Sequence, residues 1–418
     1  MEKANIKIML IPYALLTVGI LIIQLQREKP LEPTLFGWIS LLFGVCLVVE
    51  WSLSYLKKSF DPYLFPLAMF LTSIGMVMIY RLKPALFMPQ LKWAFLGIGI
   101  FVVSVLLAKH IPKLVNYKYI IGLLALFMLI ATIVFGSEIG GSKNWIIIGS
   151  MQFQPSEFVK IAVIVFLAAY LIEHRAVLSN PERTKFGFSL PPLRFIAPLV
   201  LIWGMALLMF VLQRDLGSAL LFFGIALFMT YMATGNLSYI AMAGIFFSIS
   251  SVISYFLFSH VRVRIAIWLH PWLDPNGQAY QIIQSLFSFG TGGLFGTGLA
   301  FGHPEMIPEV HTDFIFSAIA EELGLIGSLA VIFTYLLFLY RSFRIALVAD
   351  NNMKTLLAAG IAVSFTIQIF IILAGITKLL PLTGITLPFI SYGGSSMAAA
   401  FSMIGLLFSL SIKENNNE

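Results

Sequence analysis

Long apolar runs recur along almost the whole chain, and they constrain its fold more than any other feature. A helix needs roughly 17 to 25 apolar residues to cross the hydrocarbon core of a bilayer, which is about 30 Å thick. The runs that meet this length lie at residues 6–26, 35–56, 63–80, 90–108, 119–136, 156–172, 195–213, 216–235, 237–258, 313–340, 355–376 and 388–412. The sequence therefore predicts an all-α, polytopic membrane helix bundle of about twelve spans.

Charged residues are scarce: only 11 % of the 418 residues are Asp, Glu, Lys or Arg, and 59 % are hydrophobic. Soluble domains carry roughly 25 % charged residues, so lipid must face most of these side chains. A formal charge of +7 would favour nucleic-acid binding in a soluble protein. In a membrane protein the same excess belongs to the cytoplasmic loops, so no nucleic-acid partner is predicted. The single cysteine, Cys46, excludes an internal disulfide and a cysteine-built metal site.

The distribution of Lys and Arg among the loops predicts the orientation in the membrane. When the N-terminus is placed in the cytoplasm, the cytoplasmic loops hold more of these residues than the outer loops do. Both termini, including the short polar tail at 413–418, are then cytoplasmic. Residues up to Gln26 lack a small-residue cleavage site and are followed by further spans, which favours a retained helix over a secretory signal.

Two outer segments are longer than the other connections, namely residues 136–155 and residues 259–312. Long loops in a compact protein are usually functional or disordered, and the aromatic and glycine content of 259–312 is not typical of disorder. Within this loop, residues 278–289 are too short to span a bilayer but apolar enough to form a short interfacial or re-entrant helix.

The first candidate functional pair is Glu157 and Lys160, which follow a predicted helix start at Pro155 and Ser156. Residues three apart share one face of a helix, so the two side chains can meet. Two interpretations remain open. The pair neutralises itself and allows the helix to enter the membrane, or Lys160 offers a cation to a phosphate near the outer leaflet.

The second candidate site is the segment that contains Glu309, His311 and Asp313. Helix capping by Thr312 or Asp313 explains one polar residue, but three ionisable residues within five positions exceed that need. Desolvation and neighbouring charges shift the pKa of clustered carboxylates, which suits acid–base chemistry. We therefore predict that Asp313 is catalytic and that Glu309 supports it. Glu309 and His311, like Glu157 and Lys160, are candidates for binding the diphosphate or sugar of a substrate. His311 has no second His or Cys nearby at metal-ligand spacing, so a zinc site is not predicted.

Four more charged residues are candidate substrate-binding residues, and three of them lie at the predicted outer side. Arg262 and Arg264 either belong to an interfacial anchor with neighbouring Trp residues or bind a diphosphate through bidentate contacts. Arg214 lies in a very short connection and is either an interfacial charge or a further cation for the substrate. Glu321 lies within a span, about 12 Å below Asp313 along the same helix. The glycine-rich stretch 290–298 lacks the Lys-Ser/Thr ending of a phosphate loop, so close backbone packing is a fair alternative to nucleotide binding.

The order of these motifs strongly resembles the SEDS family (shape, elongation, division and sporulation), the group of RodA and FtsW. The matching motifs are, in chain order, Gly141-Ser142-Lys143-Asn144-Trp145-Ile146, Gln154-Pro155-Ser156-Glu157-Phe158-Val159-Lys160, Gln213-Arg214-Asp215-Leu216-Gly217, Asp274-Pro275 with Gly277, Tyr280-Gln281 with Gln284-Ser285, Pro308-Glu309 with His311-Thr312-Asp313-Phe314-Ile315-Phe316, Glu321-Glu322-Leu323-Gly324 and Pro388-Phe389-Ile390-Ser391-Tyr392-Gly393-Gly394-Ser395-Ser396. The resemblance covers roughly residues 60–412. Motifs this numerous and in a fixed order are highly specific.

The resemblance implies a peptidoglycan glycosyltransferase that polymerises lipid II at the outer face of the bacterial cytoplasmic membrane. It implies a ten-helix core at 61–412, preceded here by two extra helices at 1–60, and a class B penicillin-binding protein as partner. The aspartate that family members need for polymerisation maps onto Asp313. The family's Glu and Lys pair maps onto Glu157 and Lys160, and its regulatory glutamate onto Glu309. The family's usual Gln-Pro-Asp-Leu-Gly motif appears here with Arg214, instead of proline, between Gln213 and Asp215.

The implied reaction is an inverting displacement, which requires a general base and stabilisation of the leaving diphosphate. Asp313 is the predicted base, and Lys160, Arg214 and Arg262 or Arg264 are candidate diphosphate ligands. Whether a divalent cation, Mg²⁺ or Mn²⁺, bridges carboxylate and phosphate is left open. A flippase for lipid II is the competing interpretation, but it would spread charges across the bilayer instead of gathering them at one face. A non-catalytic activator of a penicillin-binding protein is the third.

Overall fold

The computed structural model of this chain describes residues 6–28, 30–55, 60–108, 115–139, 142–149, 151–179, 182–183, 189–190 and 192–412. The predicted cytoplasmic tail at 413–418 lies outside these ranges, as do several of the predicted loop cations, namely Lys3, Lys57, Lys58, Lys109, Lys113 and Lys185. Within the described ranges the chain is mainly helical, with five short strands and short 3₁₀ turns.

The helices are α1 (Leu10–Gln26), α2 (Pro33–Tyr55), α3 (Leu64–Leu82), α4 (Phe87–Leu107), α5 (Lys118–Phe135), α6 (Pro155–Glu173), α7 (Arg175–Ser179), α8 (Leu193–Leu212), α9 (Leu216–Thr234), α10 (Leu237–Leu257), α11 (Ser259–Leu269), α12 (Tyr280–Gly292), α13 (Ile315–Leu347), α14 (Asn352–Ile376) and α15 (Gly394–Ser411). The strands are β1 (Ser137–Ile139), β2 (Ser142–Ile148), β3 (Met151–Phe153), β4 (Glu182–Arg183) and β5 (Ser189–Leu190). The 3₁₀ turns are Ile6–Met9, Pro84–Leu86, Val115–Tyr117, Pro271–Leu273 and Pro304–Met306.

Eleven of the described helices are long and apolar enough to cross a membrane, and α8 contributes a shorter apolar stretch at Ala197–Leu212. The predicted all-α polytopic bundle is therefore confirmed, and each predicted span overlaps one of these twelve helices. Two boundaries differ. Helix α13 continues to Leu347 through a break at Gly324, whose φ of 65° no helical residue adopts. Helix α15 begins at Gly394 because residues 388–393 form turns that pack over the end of the bundle.

The N-terminal helix α1 packs directly on α3, the most buried of the candidate spans. Gly19 allows this close approach, since a Cβ there would lie 2.8 Å from a methyl group of Val77. Near the other end of α1, Gln24 Nε2 donates to the Tyr80 hydroxyl at 3.0 Å. The predicted N-terminal extension is thus packed against the remainder of the bundle through apolar and polar contacts.

The two long segments that were predicted as outer loops contain regular structure. Strands β1, β2 and β3 form a three-stranded antiparallel sheet in the order β1-β2-β3, in which Ile146 pairs with Phe153. These strands were not predicted, although three successive isoleucines favour a strand. In the larger loop, the predicted short apolar helix is present as α12, and α11 is an additional helix that the sequence analysis missed.

The turns at 388–392 pack between the interior of α3 and the segment that precedes α13. The Tyr392 backbone N–H donates to the His311 carbonyl at 2.9 Å, and Ser391 Oγ donates to the Thr312 carbonyl at 2.6 Å. On the other side, Gly75 of α3 lies against the backbone of Ile390. The segment that ends at Asp313 is therefore supported from behind by backbone contacts.

Substitution of Gly75 tests this close packing. A Cβ at Gly75 would lie 2.6 Å from Ile390 Cα, and backbone atoms cannot move aside cheaply. We expect Gly75→Ala to destabilise the protein by about 1–3 kcal/mol, as overpacking does. Gly99→Ala in α4 is the matched control, because nothing lies within 4 Å of a Cβ at that position. Thermal unfolding of the purified protein in detergent measures both, and equal melting temperatures would contradict the prediction.

Candidate active site

Asp313 lies two residues before α13 and is half-buried at one end of the bundle, which we call the Asp313 end. Burial raises the pKa of its carboxyl group from 3.8 to about 7. The positive charge of Arg264 opposes this shift, whereas the negative charges of Glu309 and Asp215 add to it. A carboxyl group with such a pKa exchanges protons readily near neutral pH.

The structure distinguishes the two candidate arginines of α11. Arg262 is exposed, whereas Arg264 is half-buried and donates from Nη1 to the Leu382 carbonyl at 2.7 Å. A Cβ built on Gly384 would lie 3.4 Å from Asp313 Oδ2 and 3.9 Å from Arg264 Nη2. The carboxylate and the guanidinium therefore face the same small space above Gly384, whose φ of 73° also favours glycine.

Asp215 is a second buried carboxylate near Arg264. It begins α9 as the N-cap, accepting a hydrogen bond from the Ser218 backbone N–H at 2.9 Å. Asn144 Nδ2 of strand β2 donates to its other oxygen at 2.8 Å. A Cβ on the nearby Gly217 would lie 3.0 Å from the Thr383 carbonyl oxygen, so the turn that holds Asp215 packs on the segment that also contacts Arg264 and Asp313. Asp215 was not among the predicted site residues, because its place here depends on an unpredicted strand.

Arg214, the departure from the family motif, lies at the surface of the Asp313 end. Its backbone has a positive φ of 59°, and its side chain is exposed. The guanidinium lies 3.5 Å from a carboxylate oxygen of Glu138, which is equally exposed. An exposed ion pair of this kind is weak, so a substrate phosphate could compete with Glu138 for the Arg214 guanidinium.

Lys160 is almost completely buried in α6 and has two polar partners. Its ammonium group donates to Glu157 Oε2 at 2.8 Å and to Gln368 Oε1 at 2.9 Å. Gln368 in turn donates to the Thr386 carbonyl at 2.9 Å, two residues beyond Gly384. The Glu157–Lys160 contact is the ion pair that the neutralising interpretation requires. Phosphate binding by Lys160 stays a prediction.

Glu309 and His311 lie on the segment before Asp313 but differ in exposure. Glu309 is exposed and has a positive φ of 54°, with one oxygen 3.9 Å from Lys83 Nζ and the other 3.5 Å from His311 Nε2. The ring of His311 is buried, and its Nδ1 has no hydrogen-bond partner among the described residues. Burial and the Lys83 charge lower the pKa of His311, against the opposing effect of Glu309. Burial and the Lys83 charge thus both favour the neutral form of the His311 imidazole.

The glutamates inside α13 hold the loop 293–303, which we call the glycine-rich loop because it contains Gly293, Gly296, Gly298 and Gly302. Glu321 accepts hydrogen bonds from Ser288 Oγ at 2.6 Å and from the His303 backbone N–H at 2.7 Å. Glu322 accepts from the Ala300 backbone N–H at 3.1 Å. A Cβ on Gly296 would lie 2.6 Å from the carbonyl carbon of Glu322, so this loop packs backbone to backbone against α13.

Arg81 at the end of α3 completes this arrangement and was missed by the sequence analysis. Its buried guanidinium donates to Glu322 Oε1 at 2.8 Å and to the Gly302 carbonyl at 2.8 Å. Glu305 lies 3.4 Å from the same guanidinium. No spacing in the sequence indicates this contact, because the partners are more than 200 residues away in the chain.

Among the described residues, no group of three or more His, Cys, Asp and Glu side chains could hold a metal ion. Arg264 lies near enough to Asp313 and Asp215 for both negative charges to act on its guanidinium. The fold and this site define a polytopic membrane protein with an ionisable carboxyl group and a guanidinium at one end of the bundle.

Comparison with known proteins gives the family. A protein-family model for FtsW, RodA and SpoVE, described as "Cell cycle protein", matches residues 61–416. The chain therefore belongs to this family, the SEDS family. Peptidoglycan glycosyltransferase RodA of Mycobacterium tuberculosis is 35 % identical over 98 % of this chain and 90 % of its own length. Stage V sporulation protein E of Bacillus subtilis is 32 % identical over 85 % of this chain and 98 % of its own length.

Solved structures agree with this assignment. The chain resembles one from a study of polymerization and crosslinking by a peptidoglycan synthase complex, with a TM-score of 0.66 and 25 % identity over 84 % of this chain and 98 % of that one. It also resembles Thermus thermophilus RodA, with a TM-score of 0.59 and 25 % identity over 84 % of this chain and 97 % of that one.

A double-mutant cycle tests the buried Arg81–Glu322 pair. Removing one partner leaves an unpaired buried charge, so Arg81→Met and Glu322→Met should each destabilise the protein by about 3–5 kcal/mol. The double variant should recover part of this loss, because it buries neither charge. Unfolding free energies in detergent measure the coupling. Additive single effects would contradict the pairing.

Proposed function

We propose that this protein is a peptidoglycan glycosyltransferase that polymerises lipid II into β-1,4 glycan strands at the outer face of a bacterial cytoplasmic membrane. The observation that carries the proposal is the carboxyl group of Asp313, whose pKa of about 7 suits a general base and which shares one small space with Arg264. Relatives named peptidoglycan glycosyltransferase that are 35 % identical to this chain support it.

The reaction requires one proton transfer and one displacement. The hydroxyl oxygen of one lipid-linked sugar attacks the anomeric carbon of another, and its proton passes to the Asp313 carboxylate. The bond between that carbon and the diphosphate breaks, and the leaving diphosphate takes the bonding electrons. The guanidinium of Arg264 is fixed by the Leu382 carbonyl, so it can stabilise the developing negative charge without first reorganising.

The other candidate residues have different parts in this proposal. Arg262 and Arg214 are exposed and offer additional positive charge to the diphosphates as the substrates approach. Lys160, with Glu157, is a buried cation that would act on phosphate only if the substrate displaced one of its present partners. Glu309 remains the proposed regulatory residue. Glu321 supports the site from below by holding the glycine-rich loop.

Partner and orientation also belong to the proposal. We infer that a class B penicillin-binding protein crosslinks the product, which the likeness to a chain from a peptidoglycan synthase complex supports. Both termini are placed in the cytoplasm and the Asp313 end outside. A lipid II flippase is the alternative function, and a non-catalytic activator of the partner is another. Polymerisation by the purified protein with its partner separates the glycosyltransferase from both alternatives.

Replacement of Asp313 tests the general base. We expect Asp313→Asn to reduce polymerisation at least ~100-fold, because general bases contribute roughly 10²–10⁴ to the rate. Asp350→Asn is the matched control, since Asp350 is an exposed aspartate at the opposite end of α13. The purified protein with its partner and labelled lipid II should give glycan ladders with wild type and the control. Ladders of equal intensity from Asp313→Asn, with unchanged melting temperatures, would remove Asp313 from this role.

The pH dependence tests the shifted pKa. A base must be deprotonated, so the polymerisation rate should rise with pH through about 7 and level off above it. Arg264 opposes the upward shift, so Arg264→Gln should move the midpoint of the profile to higher pH as well as lower the rate. Initial rates from pH 5.5 to 9 measure both effects. A wild-type rate that is constant across this range would exclude Asp313 as a base of this pKa.

A further inference from the structure

A cavity of about 340 Å³ opens at the end of the bundle opposite to Asp313, between the ends of α6, α9, α13 and α14. Its walls are mainly apolar and include Met232, Phe343, Leu356 and Ala359. Each of the four helices is a candidate membrane span, so this cavity lies where their apolar surfaces meet the polar end of the bundle. The proposed reaction at the Asp313 end does not use it.

The rim of the cavity carries a positive charge. Arg175, the first residue of α7, lines the opening and is exposed, and it forms no ion pair within the described part of the chain. Two other cations at this end are compensated, whereas Arg344, which does not line the cavity, has no ion pair within the described ranges either. Lys118 pairs with Glu173, and Arg341 lies 2.6 Å from Asp61. Arg175 thus places an unpaired positive charge at the opening of a cavity whose walls are mainly apolar.

The other side of the rim is the beginning of α14. The N-cap Asn351 accepts a hydrogen bond from the Lys354 backbone N–H at 2.8 Å. Asn352 and Thr355 of the first helical turn line the cavity. The N-terminal end of a helix carries a partial positive charge, which adds to that of Arg175. Both sides of the opening therefore favour a negatively charged group.

We propose that this cavity binds one anionic glycerophospholipid, with its phosphate at Arg175 and an acyl chain along the apolar walls. The arrangement combines a cationic rim with an apolar floor, and an amphipathic anion of the membrane complements both. A soluble anion would leave the floor exposed to water. Basic pockets between membrane helices bind anionic lipid headgroups by the same attraction.

The test compares two lipids that differ only in headgroup charge. The full-length protein is purified in detergent, and the affinities of phosphatidylglycerol and phosphatidylcholine with identical acyl chains are measured by native mass spectrometry. Arg175→Gln removes the charge at the rim. Arg344→Gln is the matched control, because Arg344 is an exposed arginine at the same end that does not line the cavity.

We expect wild type to bind phosphatidylglycerol about fivefold more tightly than phosphatidylcholine, and Arg175→Gln to remove this difference, since one basic residue near the headgroup contributes about a factor of five. Arg344→Gln should bind phosphatidylglycerol as wild type does. Equal losses in the two variants would assign the effect to the general charge of this end and overturn the proposal. Equal affinity of wild type for both lipids would overturn it as well. Both arginines are exposed, and melting curves confirm that the variants fold.

Discussion

The buried ion pair between Arg81 and Glu322 is the interaction on which the rest of this structure depends. An unpaired charge in a membrane-embedded interior is strongly unfavourable, so α3 and α13 are held in the one arrangement that brings the two groups together. The same guanidinium binds the Gly302 carbonyl, and Glu322 binds the Ala300 backbone N–H. One pair of charges therefore fixes two helices and the loop that leads toward the reactive segment.

The reactive end is assembled from segments that are far apart in the chain. Asp313 comes from the start of α13, Arg264 from α11 and Asp215 from the start of α9, and all three elements contact the stretch 382–385. The absence of a side chain at Gly384 leaves the space in which the carboxylate and the guanidinium face each other. The same stretch continues to Thr386, which links it to the buried pair in α6 through Gln368. A change in the position of this stretch would therefore alter the surroundings of Asp313, Arg264, Asp215 and Lys160 together.

Much of the fold could be predicted from the sequence, because hydropathy along a segment directly reports contact with lipid. The spans and the short helix α12 were recognised in this way, and the segment around Asp313 was singled out by its three ionisable residues. Three features could not be predicted from the sequence. They are the strands β1 to β3, the different environments of Arg262 and Arg264, and the ion pair that Arg81 forms. Each of these features depends on which distant segment of the chain packs against the residue. The residues next to it in the sequence do not determine that packing partner. Glu321 shows the same limit: its charge was recognised, but its backbone partners in the glycine-rich loop were not.

The contacts of α1 limit how segments of this protein could be exchanged with those of its relatives in a chimera. The family match begins at residue 61, yet Gln24 satisfies the Tyr80 hydroxyl and Arg27 donates to the backbone carbonyl of Arg81, the residue at the centre of the buried ion pair. A chimera that joined the core of this chain to a relative without helix α1 would deprive both oxygens of these hydrogen bonds. The two parts of the chain are thus expected to be inherited together, as one architectural unit.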